Sequence, residues 1–321
     1  MDLNGGPSQN TKGNMCVSCS SEQLERIGLY RSFATNGKKM KIAALLLNHF
    51  PFVLRSIPLK SFKNFHEKFH DFPFRGPICR CLECGLGQIQ NMPSEEKLES
   101  FYTSSYWSER PPSLDPLQYL QSDRARSQVE FIKTNCPEIN ISSILEIGAG
   151  AATPSLLLRK ELESTTNVQI TVVEPGSVWK EYYQNLSIEI LGSYFPMPIA
   201  RRFSHIHASH WLEHITDPQT AVSAMSENLE ENGTVFIEVP FADNDYWKRS
   251  LVDTPHTLFF SVDSLNALFQ SAGFKVLKSC RFGISMASWE AGKLPSSEDF
   301  RKEESEGFWI RALYQKSRMQ D

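Results

Sequence analysis

From residue 142 onward, short apolar runs alternate with segments in which apolar residues recur at helical spacing. This alternation of strand and helix patterns is typical of a largely parallel sheet. The predicted strands are 142–147, 168–173, 187–191, 202–208, 233–239, 274–281 and 307–315. The predicted helices are 116–134, 154–163, 176–185, 218–230 and 261–271. The pattern predicts an α/β fold, a Rossmann-like doubly wound sheet of seven mostly parallel strands. No long crossover helix separates the last two strands, so the last strand can run antiparallel.

The chain before this alternation has a different character. It begins with a polar, glycine-rich stretch and then carries two Cys-x-x-Cys pairs, at Cys16 and Cys19 and at Cys81 and Cys84. Two such pairs can place four thiolates around one tetrahedral zinc ion, and small loop-rich segments often need a metal in order to fold. Free buried cysteines and a redox pair are the alternative interpretations. The redox interpretation is disfavoured because neither pair opens a helix after a strand.

We therefore expect two domains. The first is a small zinc-ribbon-like domain at 1–110, and the second is the α/β domain at 111–321. Between the cysteine pairs lies a basic, aromatic insertion at 38–75, where eight Lys and Arg residues face two acidic ones. The insertion could contact a membrane surface or an anionic substrate weakly. It could equally pack its phenylalanines inward behind solvated lysines.

Composition narrows the class of protein. The chain has 321 residues with 40% hydrophobic and 22% charged content, which is ordinary for a globular protein. Its net charge of −4 gives no strong signal for nucleic-acid binding. The start of the chain lacks the apolar stretch of a signal peptide, so a cytoplasmic location is expected, where cysteines are thiols or metal ligands. The oligomeric state does not follow from the sequence.

A glycine turn at the end of the first α/β strand is the main candidate for a cofactor site. The run Ile-Leu-Glu-Ile-Gly-Ala-Gly-Ala-Ala contains Glu146, Gly148, Ala149 and Gly150 and precedes a predicted helix. Glycines permit a sharp turn and the close approach of a ligand. The dinucleotide fingerprint would need a third glycine or alanine where Thr153 stands, so that fingerprint is not met.

Two further strand ends carry polar groups. The second strand ends in Glu174 and Pro175, and a carboxylate at this position can accept hydrogen bonds from a ribose diol. The fourth strand is followed by polar and titratable residues at the carboxyl edge of the sheet, where ligands bind in open α/β folds. These residues include Ser209, His210, Glu213 and His214. His205 and His207 are expected on the strand itself as packing residues.

The glycine turn resembles motif I of the class I S-adenosylmethionine-dependent methyltransferases, with Ala152 in place of the last glycine. The Leu-Glu-His-Ile-x-Asp-Pro run that begins at Leu212 resembles their segment after the fourth strand. The stretch from 232 to 240 resembles their fifth strand, and the His-x-x-Phe-Phe pattern at His256 resembles their next helix entry. The paired cysteines, with Phe101, Tyr102 and Tyr106 after them, resemble the zinc-binding front domain of a branch that includes sugar C-methyltransferases.

This resemblance implies methyl transfer from S-adenosylmethionine to oxygen or carbon of a small molecule such as a saccharide or natural-product intermediate, with a structural zinc ion. It implies that the cofactor contacts Glu146, Gly148, Ala149, Gly150, Glu174, Pro175, Ser209 and His210. His214 or His256 would act as the base, because histidine titrates near neutral pH. Glu213 or Tyr106 would orient it. The alternatives are methylation of RNA or protein, and a non-catalytic scaffold with a degenerate fold.

Overall fold

The computed structural model describes residues 15–30, 76–106, 113–138, 140–163, 166–242 and 256–317. The insertion at 38–75 lies outside these residues, so its proposed contacts stay predictions. The helices described include none that is long and apolar enough to cross a membrane.

A seven-stranded sheet forms the larger part of the molecule, as the sequence predicts. In chain order its strands are β4 (Ser143–Ile147), β5 (Gln169–Val173), β6 (Glu189–Gly192), β7 (Phe203–Ser209), β8 (Leu229–Pro240), β10 (Phe274–Ser285) and β11 (Gly307–Lys316). The spatial order is β10-β11-β8-β7-β4-β5-β6, and β11 runs antiparallel to both of its neighbours. Strands β4 to β8 are parallel, so their carboxyl ends meet at one edge.

Helices connect these strands. They are α1 (Glu95–Ser100), α2 (Leu117–Leu120), α3 (Asp123–Asn135), α4 (Thr153–Leu162), α5 (Lys180–Asn185), α6 (Pro218–Glu227), α7 (Val262–Ser271) and α8 (Met286–Glu290). Two 3₁₀ turns, Ser177–Trp179 and Leu212–His214, and a π-helix, Phe101–Tyr106, complete the set within the described residues.

Both faces of the sheet are covered, which is the doubly wound arrangement. Residues of α6 and α7, among them Val222 and Leu268, pack with Ile206 and Ile237 of the strands in one buried cluster. Residues of α3 and α4 pack with Ile144, Phe236 and Leu313 in a second cluster. Burial on two faces explains why the central strands are nearly continuous apolar runs.

Helix boundaries differ from the prediction in three places, one of which is the predicted helix 218–230, which ends at Glu227. The predicted helix 116–134 is two helices, because the Ser122 hydroxyl accepts a hydrogen bond from Ala125 N at 3.2 Å and starts α3 afresh. The predicted helix 176–185 begins as the 3₁₀ turn and becomes α-helical only at Lys180. Strand β8 starts earlier than predicted, since Leu229 already pairs with Phe203.

A second, four-stranded antiparallel sheet lies at the cysteine pairs. It contains β1 (Leu24–Tyr30), β2 (Gly76–Cys81), β3 (Gly87–Ile89) and β9 (Leu258–Phe259), in that order. Strand β9 comes from the predicted α/β domain, so it joins the two parts of the chain. The division at residues 110 and 111 stays a prediction.

Thr257 fixes this junction to the segment that follows β7. Its carbonyl accepts from Ile89 N at 3.0 Å, and its own N–H donates to Glu213 O at 2.8 Å. The hydroxyl is shared between Glu213 O, at 3.1 Å, and Ile215 O. Thr257 is fully buried. The N-terminal sheet is therefore hydrogen-bonded, through one residue, to the loop that carries the candidate acid and bases.

We expect Thr257→Val to lower the free energy of unfolding by about 1–3 kcal/mol, because the isosteric change leaves the Ile215 carbonyl without its donor in a buried place. Thr257→Ser keeps the hydroxyl and is the matched control. Urea unfolding followed by circular dichroism measures both. Equal stability of the valine and serine variants would show that the hydroxyl contributes nothing.

Candidate functional site

The glycine turn is built by left-handed residues at three alternate positions. Gly148, Gly150 and Ala152 have φ of 66°, 50° and 49°, and Ala152 is the residue before α4. A Cβ at Gly148 would lie 2.9 Å from Cδ1 of Trp211, so only glycine lets the loop approach the segment after β7 this closely. The turn at the end of β4 and the end of β7 are thus in direct contact.

Glu174 holds the loop in place. Its Oε2 accepts from Gly150 N at 2.9 Å, and its Oε1 accepts from Gly176 N at 2.8 Å. The carboxylate is 7% exposed. Both oxygens of the carboxylate therefore contact the backbone at the ends of β4 and β5.

Two tyrosines of α5 hold the carbonyl groups of the same loop. Tyr182 OH donates to Ala151 O at 3.1 Å, and Tyr183 OH donates to Gly150 O. Both rings are buried, and they pack with Trp179. The loop is therefore fixed through both its N–H and its C=O groups.

Glu146 lies beneath the loop rather than at its surface. It is 3% exposed, and its carboxyl accepts from the Ser155 hydroxyl on α4. Burial raises the pKa of Glu146 to about 8. In the structure this residue anchors α4 to β4, while its predicted contact with a cofactor stays a prediction.

The end of β7 belongs to a buried polar network. Ser209 Oγ accepts from Gln128 Nε2 at 3.0 Å. His210 has φ of 53°, and its N–H donates to Glu238 O at 2.8 Å. The left-handed conformation turns the chain out of the strand, and the His210 ring then lies between Glu213 and Glu238, with nitrogen–oxygen distances of 3.1 and 3.6 Å.

Glu213 is the centre of a cluster of three histidines. Its Oε1 lies 3.1 Å from His210 Nδ1, 3.8 Å from His214 Nε2 and 4.0 Å from His256 Nε2. The carboxyl is 1% exposed, and burial raises its pKa to about 8. At pH 7 it is therefore mostly protonated, and the cluster carries little negative charge.

His214 and His256 come from different segments and meet at this cluster. Their ring centroids are 4.9 Å apart, and Tyr102 of the π-helix contacts His214 edge-on at 5.7 Å. Burial lowers the pKa of His256 well below its usual range, and the neighbouring histidines lower it further. The His256 ring is therefore neutral at pH 7 and can accept a proton, but its lowered pKa makes it a weaker base than an exposed histidine.

The four predicted thiols form one group. The sulfurs of Cys16 and Cys84 are 3.5 Å apart, as are those of Cys19 and Cys81, and all four lie within 4.8 Å of one another. Tetrahedral zinc with bonds of about 2.3 Å needs sulfurs roughly 3.8 Å apart, which fits this group. Sulfurs at 3.5 Å are not disulfide-bonded.

The structure thus brings most of the predicted residues together. The loop follows β4, Glu174 and Pro175 follow β5, and Ser209 is the last residue of β7. His210, Glu213 and His214 come next in the chain, and His256 joins them through Thr257. The side chain of Tyr106 lies outside the described part of the chain, so its role stays a prediction. His205 and His207 are fully buried in β7, as expected of packing residues.

Several residues at the site were not predicted from the sequence. They are Tyr102, Arg124, Gln128, Tyr182, Tyr183, Trp211, Glu238 and Arg311. Only one pair of these residues could have been recognised from the sequence. Glu238 and Arg311 are charged residues inside apolar runs predicted as strands, and they are register partners in β8 and β11. Opposite charges on adjacent buried strands indicate a salt bridge.

Two surface grooves, of about 750 and 510 Å³, lie elsewhere, beside α6 and residues 196–202. Neither is lined by a residue of the glycine turn or of the histidine cluster. We therefore assign the candidate site by its side chains and its position at the sheet edge.

Solved structures with similar folds include three methyltransferases. A putative sarcosine dimethylglycine methyltransferase from Galdieria sulphuraria is 14% identical over 60% of this chain and 85% of its own, with a TM-score of 0.45. The N-methyltransferase NodS from Bradyrhizobium japonicum, in complex with S-adenosylhomocysteine, is 13% identical over 67% and 98%, with a TM-score of 0.46. An S-adenosylmethionine-dependent methyltransferase from Clostridium acetobutylicum is 12% identical over 60% and 92%, with a TM-score of 0.43. No curated protein sequence matches the chain.

The amino-acid sequence itself also matches the model of a protein family. The family model described as a methyltransferase domain matches residues 115–279, slightly more than half of the chain. The match contains α3, the glycine turn, Glu174 and the whole histidine cluster. The resemblance to methyltransferases is therefore confirmed, and the chain belongs to the methyltransferase domain family.

Proposed function

We propose that this protein transfers the methyl group of S-adenosylmethionine to an oxygen or carbon atom of a small molecule, such as a saccharide or natural-product intermediate. The observation that carries the proposal is the contact between the glycine turn and the segment after β7, where Gly148 meets Trp211. A cofactor over the turn and an acceptor over the histidines would then be neighbours.

The turn fits this cofactor better than a dinucleotide. Thr153 stands where a dinucleotide fingerprint needs its third small residue, and no cluster of basic side chains follows it on α4 until Arg159. Glu174 directly follows β5, and a carboxylate at this position can accept hydrogen bonds from the hydroxyl groups of a ribose. The cofactor would supply a methyl group made electrophilic by the sulfonium, and the protein would supply position, which accounts for about 7–11 kcal/mol in well-oriented reactions.

The proton of the acceptor would pass to His214 or His256. His214 lies in the 3₁₀ turn directly after β7 and is 15% exposed at its side chain, whereas His256 is 9% exposed. Glu213 contacts both rings and would orient them. His214 is favoured slightly, because the end of β7 fixes its position.

The first prediction tests the cofactor. Glu174→Ala should weaken binding of S-adenosylhomocysteine by about 1.5–3 kcal/mol, the loss expected for hydrogen bonds to a charged group. The same substitution should weaken binding of the 2′,3′-dideoxyribose analogue less, because that ligand loses only the support of the loop and has no ribose hydroxyls to lose. Calorimetry measures both ligands, and Glu189→Ala on the exposed start of β6 is the control.

If Glu174→Ala weakens both ligands equally, the residue supports the loop and does not contact the ribose. Unchanged affinity for both ligands would remove Glu174 from the cofactor site.

The second prediction tests the base. His214→Ala and His256→Ala should bind S-adenosylhomocysteine nearly normally, while turnover falls about a hundred- to ten-thousandfold in at least one of them. Because burial lowers the pKa of His256, a wild-type rate that depends on it should fall only below about pH 6.5, as the ring gains its proton. Turnover is followed with labelled methyl donor and an acceptor found by screening small hydroxyl and keto compounds. Wild-type turnover in both variants would mean that the enzyme works by positioning alone.

We also propose that Cys16, Cys19, Cys81 and Cys84 bind one structural zinc ion. The support is the compact group of four thiols, two of them buried, beside a sheet of only four short strands. Such small segments are commonly stabilised by a metal. Through β3, β9 and Thr257, the ion would also stabilise the position of His256.

The third prediction tests the zinc. Purified protein should contain one equivalent of zinc, and Cys81→Ser should lose it and lower the unfolding midpoint. Cys79→Ser is the matched control, since Cys79 is buried on the same strand but is not in the group of four. Wild-type protein with well under one equivalent of metal, or equal loss in both variants, would refute the assignment.

A further inference from the structure

Glu213, His214 and His256 form a compact group of side chains that can ligate a metal. One ligand atom of each residue lies within 4.8 Å of those of the other two. Glu213 Oε1 is 3.8 Å from His214 Nε2 and 4.0 Å from His256 Nε2. A tetrahedral ion with bonds of about 2.1 Å places neighbouring ligand atoms roughly 3.4 Å apart. The three side chains therefore need to approach one another by only about 0.5 Å to share an ion.

The Glu213 carboxyl is buried and accepts no hydrogen bond from the described residues. Its side chain is 1% exposed, and neither of its oxygens has a hydrogen-bond partner in that part of the chain. His210 Nδ1 lies 3.1 Å from Oε1, but the two atoms do not have the geometry of a hydrogen bond. Buried carboxyl oxygens are almost always engaged, and a bound ion is one of the partners that can engage them. The two imidazoles beside Glu213 favour an ion over a water molecule.

The backbone holds the two segments of this group together. Glu213 and His214 lie in the 3₁₀ turn after β7, and His256 is the residue before Thr257. The N–H of Thr257 donates to Glu213 O at 2.8 Å, and its carbonyl accepts from Ile89 N of the N-terminal sheet at 3.0 Å. The three side chains are therefore brought together by contacts that need no ion. A site assembled in advance has less ordering to undergo when a ligand binds.

The donor set defines the class of ion. Imidazole suits divalent transition metals such as zinc, iron and nickel, whereas magnesium and calcium prefer sites made of oxygen ligands. Any proton on Glu213 leaves when the ion binds, as at other carboxylate ligands. Arg124 also acts on the charge of Glu213, but its Nε donates to Glu238 Oε1 at 2.6 Å. Glu213 thus remains available to an ion.

We propose that Glu213, His214 and His256 bind one divalent transition-metal ion at the acceptor side of the site. Three protein ligands leave at least one position open on the ion, as in catalytic zinc sites. Glu213 is two residues from Trp211, which lies against the glycine turn at Gly148. The ion is therefore near the proposed cofactor loop, and a hydroxyl group of the acceptor is the ligand that fills its open position.

The ion takes over the task of the histidine base, because coordination uses the ring nitrogens that would accept the proton. A divalent ion lowers the pKa of a coordinated hydroxyl, so the O–H bond breaks and the proton passes to water. The oxygen forms a bond to the methyl carbon while the carbon–sulfur bond of the sulfonium breaks, and the electron pair of that bond stays on sulfur. This step rests on the proposed function, whereas the binding of the ion does not.

The experiment titrates cobalt(II) chloride into the purified full-length protein and follows the absorption spectrum. Cobalt on nitrogen and oxygen ligands gives visible bands alone, whereas cobalt on thiolates adds an intense near-ultraviolet charge-transfer band, so the four cysteines are told apart. The variants are Glu213→Gln and His256→Gln. His210→Asn is the matched control, since His210 contacts the same carboxyl but is not in the group of three. Asparagine also tolerates the left-handed backbone at this position.

We expect wild type to take up one equivalent of cobalt without the thiolate band. Affinity should fall about tenfold or more in Glu213→Gln and His256→Gln, because even residues that only support a metal ligand contribute about that much. His210→Asn should keep the wild-type affinity. Circular dichroism shows whether each variant is folded, and the wild-type spectrum decides the question if one is not.

The inference is overturned if cobalt binds wild type only with the thiolate band, or if all four proteins bind it equally. A loss in His210→Asn as large as in the other two variants would also overturn the assignment of the three ligands. Calorimetry with S-adenosylhomocysteine on the same proteins separates this inference from the proposed function. Cofactor binding without the cobalt site would refute the ion and leave the histidine base, and cobalt binding without the cofactor would refute the proposed function and keep the ion.

Discussion

The hydrogen bonds of Glu174 to Gly150 and Gly176 are the constraint on which the site depends. They tie the turn after β4 to the end of β5, so the two strand ends act as one surface. The carboxylate can do this because it is nearly buried and accepts from backbone N–H groups, which strengthens each hydrogen bond. With the loop fixed, Gly148 can contact Trp211, and that contact places the segment after β7 beside the loop.

A second constraint links the N-terminal part to the same edge. The two-residue strand β9 pairs with β3, and Thr257 beside it bonds to the Glu213 segment. His256 therefore depends on the packing of a sheet that contains the four cysteines. The four cysteines therefore affect the position of His256, although the thiols themselves take no part in the proposed chemistry.

The sequence predicts the seven-stranded sheet well, because buried parallel strands are apolar runs and the turns between them contain glycine and polar residues. Glu174, His210 and Glu213 were predicted as site residues because each follows the end of a strand.

Strand β9 was not predicted, because a strand of two residues shows no periodicity. From the sequence, Tyr182 and Tyr183 are expected to be aromatic residues of the core. Their spacing does not indicate that their hydroxyl groups donate to carbonyl groups of the loop. From the sequence, Arg124 looks like an ordinary surface residue of a helix. Its ion pair with Glu238 could not be predicted, because the two residues are more than a hundred positions apart in the chain.

The central claim is that the loop held by Glu174 binds the sulfonium cofactor of methyl transfer. Calorimetry of the wild-type protein with S-adenosylmethionine, S-adenosylhomocysteine and NAD tests it most directly. The account predicts one site per chain for each of the two sulfur ligands and no binding of the dinucleotide. Binding of NAD without either sulfur ligand would contradict it, and binding of none of the three would favour a scaffold with a methyltransferase fold.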